Sequence, residues 1–321
     1  QYAETRVEIE QIWSLMAYIN EQLLAPSSDQ LSYRQFWLSK LKIDDVRTKL
    51  PKNPDKDIVI AIIDSAIDVY HPDMQGQIWT NEDEIPDNGK DDDWNGFIDD
   101  IHGVNLLDNS WAITVTDGHG TLVWWVVGAL GNNNLGISWI VPHVQLMSIV
   151  VCKEDTCLPG SKLAEAIRYA VDNGADIINM SLSSTAWSKT TTTLAQAIAY
   201  ANLHNVIIVT SAWNGLENGD GTKSAINTDE VAISPVCSES NPNQVIGVWA
   251  ANQRSEVIPR SNTGKCVDVI AYGEWIISTA FFGTTTWSYG IAEGTSLAAP
   301  MVAGIILSLI HIWRCRRSQV G

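Results

Sequence analysis

Asp57-Ile58-Val59-Ile60-Ala61-Ile62-Ile63-Asp64 sets six consecutive apolar residues, most of them β-branched, between two aspartates. A short run of this kind reads as a strand covered on both faces. The pattern returns at 144–151, 177–180, 206–210, 245–248 and 267–270. Between these runs lie helical stretches. The clearest are 161–173, with Ser161 as N-cap and Gly174 as stop, and 191–204. Buried strands that alternate with helices form βαβ units. The expected fold is therefore α/β: a doubly wound, mostly parallel β-sheet flanked by helices.

Upstream of this pattern the chain differs in kind. Residues 1–54 hold polar, helix-favouring stretches at 7–24 and 33–41, separated by Pro26-Ser27-Ser28 and closed by Pro51 and Pro54. They read as a helical leader or linker, or as the remnant of an N-terminal propeptide. The whole chain, 321 residues with 45% hydrophobic and 18% charged, has the make-up of a folded protein and room for a sizeable core. Its 20 Lys and Arg stand against 37 Asp and Glu, a net charge of -17. That excess repels phosphate backbones and anionic membrane surfaces, so neither nucleic acid nor membrane is an expected partner. The longest nearly apolar run, 301–313, is shorter than the roughly 18–20 residues that cross a bilayer.

Three separated segments bring reactive side chains to places where such a sheet exposes them. The strand 58–63 ends in Asp64, and ligands bind at the carboxyl edge of a parallel sheet. Asp117-Gly118-His119-Gly120-Thr121 sets a histidine between glycines just before a helical run. Gly294-Thr295-Ser296-Leu297-Ala298-Ala299-Pro300 puts a serine at the start of an apolar helix, where free N–H groups favour developing negative charge. Taken singly, each has an ordinary structural use as a cap or a loop residue.

In the order Asp, His, Ser, and with these neighbours, the segments resemble the subtilisin-like serine proteases, the subtilases of peptidase family S8. The resemblance spans 55–306, the expected catalytic domain. It extends to Asp64-Ser65-Ala66 with His71-Pro72-Asp73, to Gly174-Ala175-Asp176-Ile177-Ile178-Asn179-Met180-Ser181-Leu182, and to Val209-Thr210-Ser211-Ala212-Trp213-Asn214. It implies a serine endopeptidase working through an acyl-enzyme. Ser296 would be the nucleophile, His119 the base and then acid, and Asp64 the group that orients the imidazole. Asn214 and the Ser296 N–H would bind the oxyanion. Ser181, Leu182 and Ser183, with Ala212 and Trp213, would receive an extended polypeptide by strand addition. Two other readings stand beside this one: a catalytically impaired module of the same fold that binds peptides, and a calcium-dependent structural domain.

A calcium site is expected in Asp91-Asp92-Asp93-Trp94-Asn95-Gly96-Phe97-Ile98-Asp99, which fits the start of D-x-[DN]-x-[DN]-G. Asp91, Asp93, Asn95, Phe97 (through its carbonyl) and Asp99 would supply hard oxygen ligands, with Gly96 at the turn. The twelfth position is His102, not a bidentate Glu, so coordination would be completed elsewhere, with Asp100 a candidate. The alternative is a solvated acidic loop. Cys152, Cys157, Cys237 and Cys266 allow three pairings, of which 152–157 with 237–266 is the most local. An even set fits secretion or the cell-envelope exterior; reduced buried thiols are the alternative.

Departures from the resemblance are also expected to matter. The segment 307–317, LSLIHIWRCRR, which holds the fifth cysteine, resembles an in-frame translation of a transposase-type sequencing adapter. Residues 307–321 are therefore set outside the domain. The chain has 14 Trp against 4 Phe. Trp125, Trp139, Trp213 and Trp249 stand where the resembled family has glycine, Trp124 replaces a small residue, and Trp94 lies in the acidic loop. Glycine there permits positive φ or close approach, so each misfit is expected to cost about 1–3 kcal/mol. Trp213 is further expected to fill the pocket for the substrate's P1 side chain.

Overall fold

The computed structural model describes residues 27–318 apart from 51–56, 112, 114, 116–117, 155, 184–191, 219–222, 232, 238–243 and 281–287. The expected helical stretch 7–24 lies outside the described residues. Each apolar run becomes a strand: β1 (Ile58–Ser65), β3 (Val144–Lys153), β4 (Ile177–Met180), β5 (Ile207–Ser211), β6 (Ile246–Ala251) and β7 (Val269–Tyr272). With the short β2 (Gly103–Asn105) they form one sheet in the order β7-β6-β5-β4-β1-β3-β2. Every neighbouring pair in that order is parallel. The two residues Thr156–Cys157 add an antiparallel edge to β3.

The two faces follow from the period of two along a strand. In β1, Ile58, Ile60 and Ile62 enter one core, while Val59, Ala61 and Ile63 enter the other. The first core is covered by α3 (His119–Gly128) and α6 (Thr295–Ser318). The second is covered by α4 (Gly160–Asp172) and α5 (Thr192–Leu203). The sheet is thus wound on both faces, as its unbroken apolar strands require. β1 lies between β3 and β4, so the chain crosses over it between those strands. The crevice at its carboxyl end is where such a sheet accepts a ligand.

Several boundaries differ from expectation. α4 begins at Gly160 with Pro159 at the cap position, so Ser161 lies inside the first turn and makes no cap bond. Proline's fixed φ suits the entry to a helix, and the cap lies two residues earlier than expected. Gly174, at φ +80°, ends this helix as expected. α6 does not stop at 306: it runs unbroken to Ser318, with Leu307, Ser308 and His311 buried. Thr295–Ile312 is long and apolar enough to cross a membrane, although 61% of it is buried inside the fold. Its contacts with the sheet make it a core helix here.

Part of the segment set apart at 1–54 is packed into the first core. Trp37 and Leu38 on α1 (Phe36–Lys40) and Ile43 on α2 (Ile43–Arg47) are buried there. Gln35 exchanges two hydrogen bonds with the Ser138 backbone, at 2.9 and 2.6 Å. Asp29 accepts the N–H groups of Asn132 and Asn133. The cysteines take the most local pairing, Cys152–Cys157 and Cys237–Cys266.

The tryptophans divide by physical cause. Trp94 and Trp213 sit at φ +64° and +69°, so there the glycine rationale is backbone conformation. Trp124 and Trp125 are wholly buried in α3, with Trp125 edge-on to the His71 ring at 4.1 Å. Trp139 lies beneath the Arg47 guanidinium, 4.1 Å away, and Trp249 is half-buried on β6.

Candidate active site

Asp64 is the residue before last of β1 and is almost wholly buried. Its Oδ1 accepts the Ser65 N–H at 2.7 Å and lies 2.7 Å from His119 Nδ1. His119 is the first residue of α3, and 46% of its side chain is exposed. Donation from Nδ1 to the carboxylate leaves Nε2 as the basic nitrogen. The glycine after the histidine is required by close approach. Gly120 N–H donates to Ser65 Oγ at 2.9 Å, and a Cβ at Gly120 would lie 2.1 Å from the Ser65 carbonyl oxygen. Only glycine lets the helix bearing the imidazole come down on the strand bearing the carboxylate.

Ser296 stands in the first turn of α6, and Pro300 explains its unusual partner. A proline has no N–H, so the carbonyl four residues earlier loses its helical donor. That carbonyl belongs to Ser296, and the hydroxyl of Ser181 fills the gap at 2.7 Å. Ser296 Oγ in turn donates to the Ser181 carbonyl at 3.2 Å, and Asn179 Nδ2 donates to Ser181 Oγ at 3.0 Å. The nucleophile candidate is therefore bound on both sides to the strand expected to hold substrate. The structure brings Asp64 to His119 and Ser296 to Ser181, with α3 and α6 packed in one core.

Asn214 is held with one end of its amide fixed. Its Oδ1 accepts the Thr295 N–H at 2.8 Å and the Thr295 hydroxyl at 3.1 Å. With the oxygen so occupied, Nδ2 is the end left to donate. Gly294, at φ +151°, passes close beside this amide: a Cβ there would lie 3.1 Å from Nδ2.

The remaining substrate-binding candidates line the same edge. Ser181, Leu182 and Ala212 are buried, and Ser183 Oγ donates to the Ser211 carbonyl at 2.9 Å. Trp213 is only half-buried, and its ring packs against Ile233, Val236 and Cys237, a small cluster that also includes Cys266. That is where the structure puts the side chain expected to occupy the P1 pocket. Its left-handed backbone carries about 1–2 kcal/mol of strain that glycine would not.

The acidic loop gathers a different oxygen set from the one its spacing predicts. Glu84, Asp93 and Asp100 bring carboxylate oxygens within 4.8 Å of one another. Of the five ligands predicted from the motif only Asp93 belongs to this group, joined by Asp100, the candidate for completing the coordination. Asp91 accepts the backbone N–H groups of Asn95 and Gly96, and Asp99 accepts those of Asn88 and Gly89. These two carboxylates shape the turns, a use open to any Asp beside free amides. Asn95 donates through Nδ2 to Asp93 and Asp100, while Phe97 packs edge-on to Tyr169. Burial pushes the Asp100 carboxyl up from its ordinary value, opposed by the Tyr169 hydroxyl, which donates to it at 2.5 Å. Glu84 lies outside the loop motif, and no spacing rule in the sequence marks it.

Comparison with known proteins agrees with this geometry. The subtilase family model matches residues 55–311. The chain is 31% identical over 304 residues to subtilisin-like protease 1 of Plasmodium berghei (strain Anka), covering 89% of this chain and 48% of that protein. It is 31% identical over 246 residues to a thermophilic serine proteinase of Bacillus sp. (strain AK1), covering 77% and 50%. The chain thus spans about half the length of these curated relatives. Among solved structures, a lanthipeptide protease superposes with a TM-score of 0.67 at 21% identity, covering 92% of this chain and 84% of that one. With its parallel sheet, its Asp-His pair at the sheet's carboxyl edge and a family match over most of its length, this chain belongs to the subtilase family.

Proposed function

We propose that the chain is a serine endopeptidase acting on polypeptides in extended conformation. The observation that carries this reading is the 2.7 Å bond between Asp64 and His119 at the end of β1. Ser296 Oγ attacks the scissile carbonyl carbon as its proton passes to His119 Nε2. Asn214 Nδ2 and the Ser296 N–H receive the oxyanion. As the C–N bond breaks, His119 returns the proton to the leaving amine. Water, deprotonated by His119, then cleaves the acyl ester and frees Ser296. The Asp64 carboxylate orients the imidazole and stabilises the imidazolium. The backbone beside Ser181 pairs with substrate main chain, which makes binding largely independent of side chains. Two disulfides support a location outside the reducing cytoplasm, secreted or on the cell-envelope exterior.

A fluorophosphonate probe is expected to label the purified chain, with the modified peptide containing Ser296, and casein is expected to be cleaved. No label together with retained peptide binding would overturn the enzyme reading in favour of a peptide-binding module.

Calcium is the cation proposed for Glu84, Asp93 and Asp100. Oxygens spread over at most 4.8 Å fit one ion with Ca–O distances of about 2.3–2.6 Å, and three carboxylates suit a hard cation. When bound, the ion supplies positive charge that offsets mutual repulsion among these carboxylates. The residues themselves tie the loop to α4 through Asp100 and Tyr169. At a hundredfold excess over its Kd, calcium is expected to stabilise the fold by about 2.7 kcal/mol, raising Tm by roughly 5–10 °C. Thermal unfolding with calcium and with EGTA measures this. An unchanged Tm in the parent, or an equal shift in Asp93→Asn, would remove calcium from this cluster.

A further inference from the structure

The geometry points to Asn262 as the positioning residue of the oxyanion site: from beneath the 212–214 turn it holds the two carbonyls that flank the strained residue Trp213, and so aims Asn214. This inference rests on the endopeptidase reading above. Asn262 is wholly buried, and its polar groups converge on this turn and its support. Nδ2 donates to the Ala212 carbonyl at 2.9 Å, and the backbone N–H donates to the Trp213 carbonyl at 3.2 Å. Oδ1 accepts the Ile226 N–H at 3.0 Å. Asn262 is itself anchored, because Thr263 N–H donates to the Ile226 carbonyl and Thr228 N–H donates to the Thr263 carbonyl, at 3.1 and 2.7 Å.

Trp213 needs such a clamp. At φ +69° it occupies a region that side-chain-bearing residues leave unless the surroundings over-determine them. The cluster around Ile233 and Val236 holds its ring, and Asn262 holds its backbone. Asn214 follows directly. Thr295 fixes one end of its amide, but the Cα from which that amide projects is set by the turn. An oxyanion donor acts only when it meets the transition-state oxygen at about 2.7–3.1 Å, so a slack turn weakens catalysis more than ground-state binding.

Four proteins decide the matter: the parent, Asn262→Ala, Trp213→Gly and the double variant. Each is assayed for kcat and KM on a chromogenic peptide and for affinity to a peptide boronate that mimics the tetrahedral adduct. Asn262→Ala is expected to lower kcat and boronate affinity about tenfold to a hundredfold while KM moves less than about threefold. In the Trp213→Gly background, where glycine takes φ +69° without strain, the same change is expected to cost at most about a third of that factor. A purely structural asparagine would lower Tm in both backgrounds and leave kcat and boronate affinity alone; that result overturns the inference. If Asn262→Ala fails to fold, Asn262→Ser is read by the same ratio of kcat to KM effects. A parent chain that takes no fluorophosphonate label would overturn the endopeptidase reading and this inference together. A labelled parent whose Asn262 variants keep full kcat would overturn this inference alone.

Discussion

Replacing Ser296 by alanine is expected to lower kcat about a millionfold, the loss measured when subtilisin itself is deprived of its nucleophile, with folding and peptide affinity retained. The structure explains why the loss should be confined to chemistry. Ser296 contributes two things: a hydroxyl that donates to the Ser181 carbonyl and a backbone carbonyl that accepts from the Ser181 hydroxyl. Alanine removes the first and keeps the second. The helix start, where Pro300 leaves that carbonyl without a helical donor, therefore stays tied to the substrate strand. Single-turnover hydrolysis of an activated peptide ester, thermal unfolding and calorimetric peptide binding separate these effects. A kcat within tenfold of the parent, or fluorophosphonate labelling that survives the substitution, would remove Ser296 from the nucleophile's role.

The second large effect is expected at Asn214. Asn214→Ala should reduce kcat by about 100- to 1,000-fold, or about 2.7–4 kcal/mol, with KM little changed; these magnitudes are those of the corresponding asparagine in subtilisin. Alanine removes the Nδ2 donor, and it also leaves the Thr295 N–H and hydroxyl without their acceptor. Asn214→Asp separates the two roles. Aspartate keeps an oxygen for Thr295 but puts a second, negatively charged oxygen where Nδ2 would meet the oxyanion. Both variants should lose kcat, the aspartate at least as severely, while the aspartate keeps a Tm closer to the parent. Steady-state kinetics with unfolding curves for both variants test this. A fall in kcat/KM that comes wholly from KM would mean that Asn214 binds substrate and does not stabilise the transition state.

Much of this was legible along the chain. The run 58–63 becomes β1 because a β-branched apolar stretch suits a strand covered on both faces, and the structure splits it between two cores. The glycine after His119 was visible as part of a motif. Its reason, that a Cβ there would lie 2.1 Å from the Ser65 carbonyl oxygen, belongs to a contact between α3 and β1. The acidic loop shows the limit. Its spacing nominated Asp91 and Asp99, yet neither joins the carboxylate cluster, whereas Glu84, from outside the motif, does while also accepting the N–H groups of Asp92, Asp93 and Asp99. Of the six tryptophans that depart from the resemblance, only Trp94 and Trp213 sit at positive φ. Sequence pattern does not distinguish a left-handed turn from a tight helix contact.

By itself, the sequence determined what local period and motif spacing encode: the parallel sheet wound on both faces and the Asp64, His119, Ser296 order that marks the family. Tertiary structure alone decided what holds that chemistry in place: Thr295 on Asn214 across 81 residues, Ser181 on Ser296 across 115, and Asn262 on Ala212 across 50. The reason is physical. Strand and helix periods arise between neighbours in the chain and leave a repeating trace. A buried hydrogen bond between distant segments depends on where the whole fold brings two polar groups, and it leaves no pattern at either end.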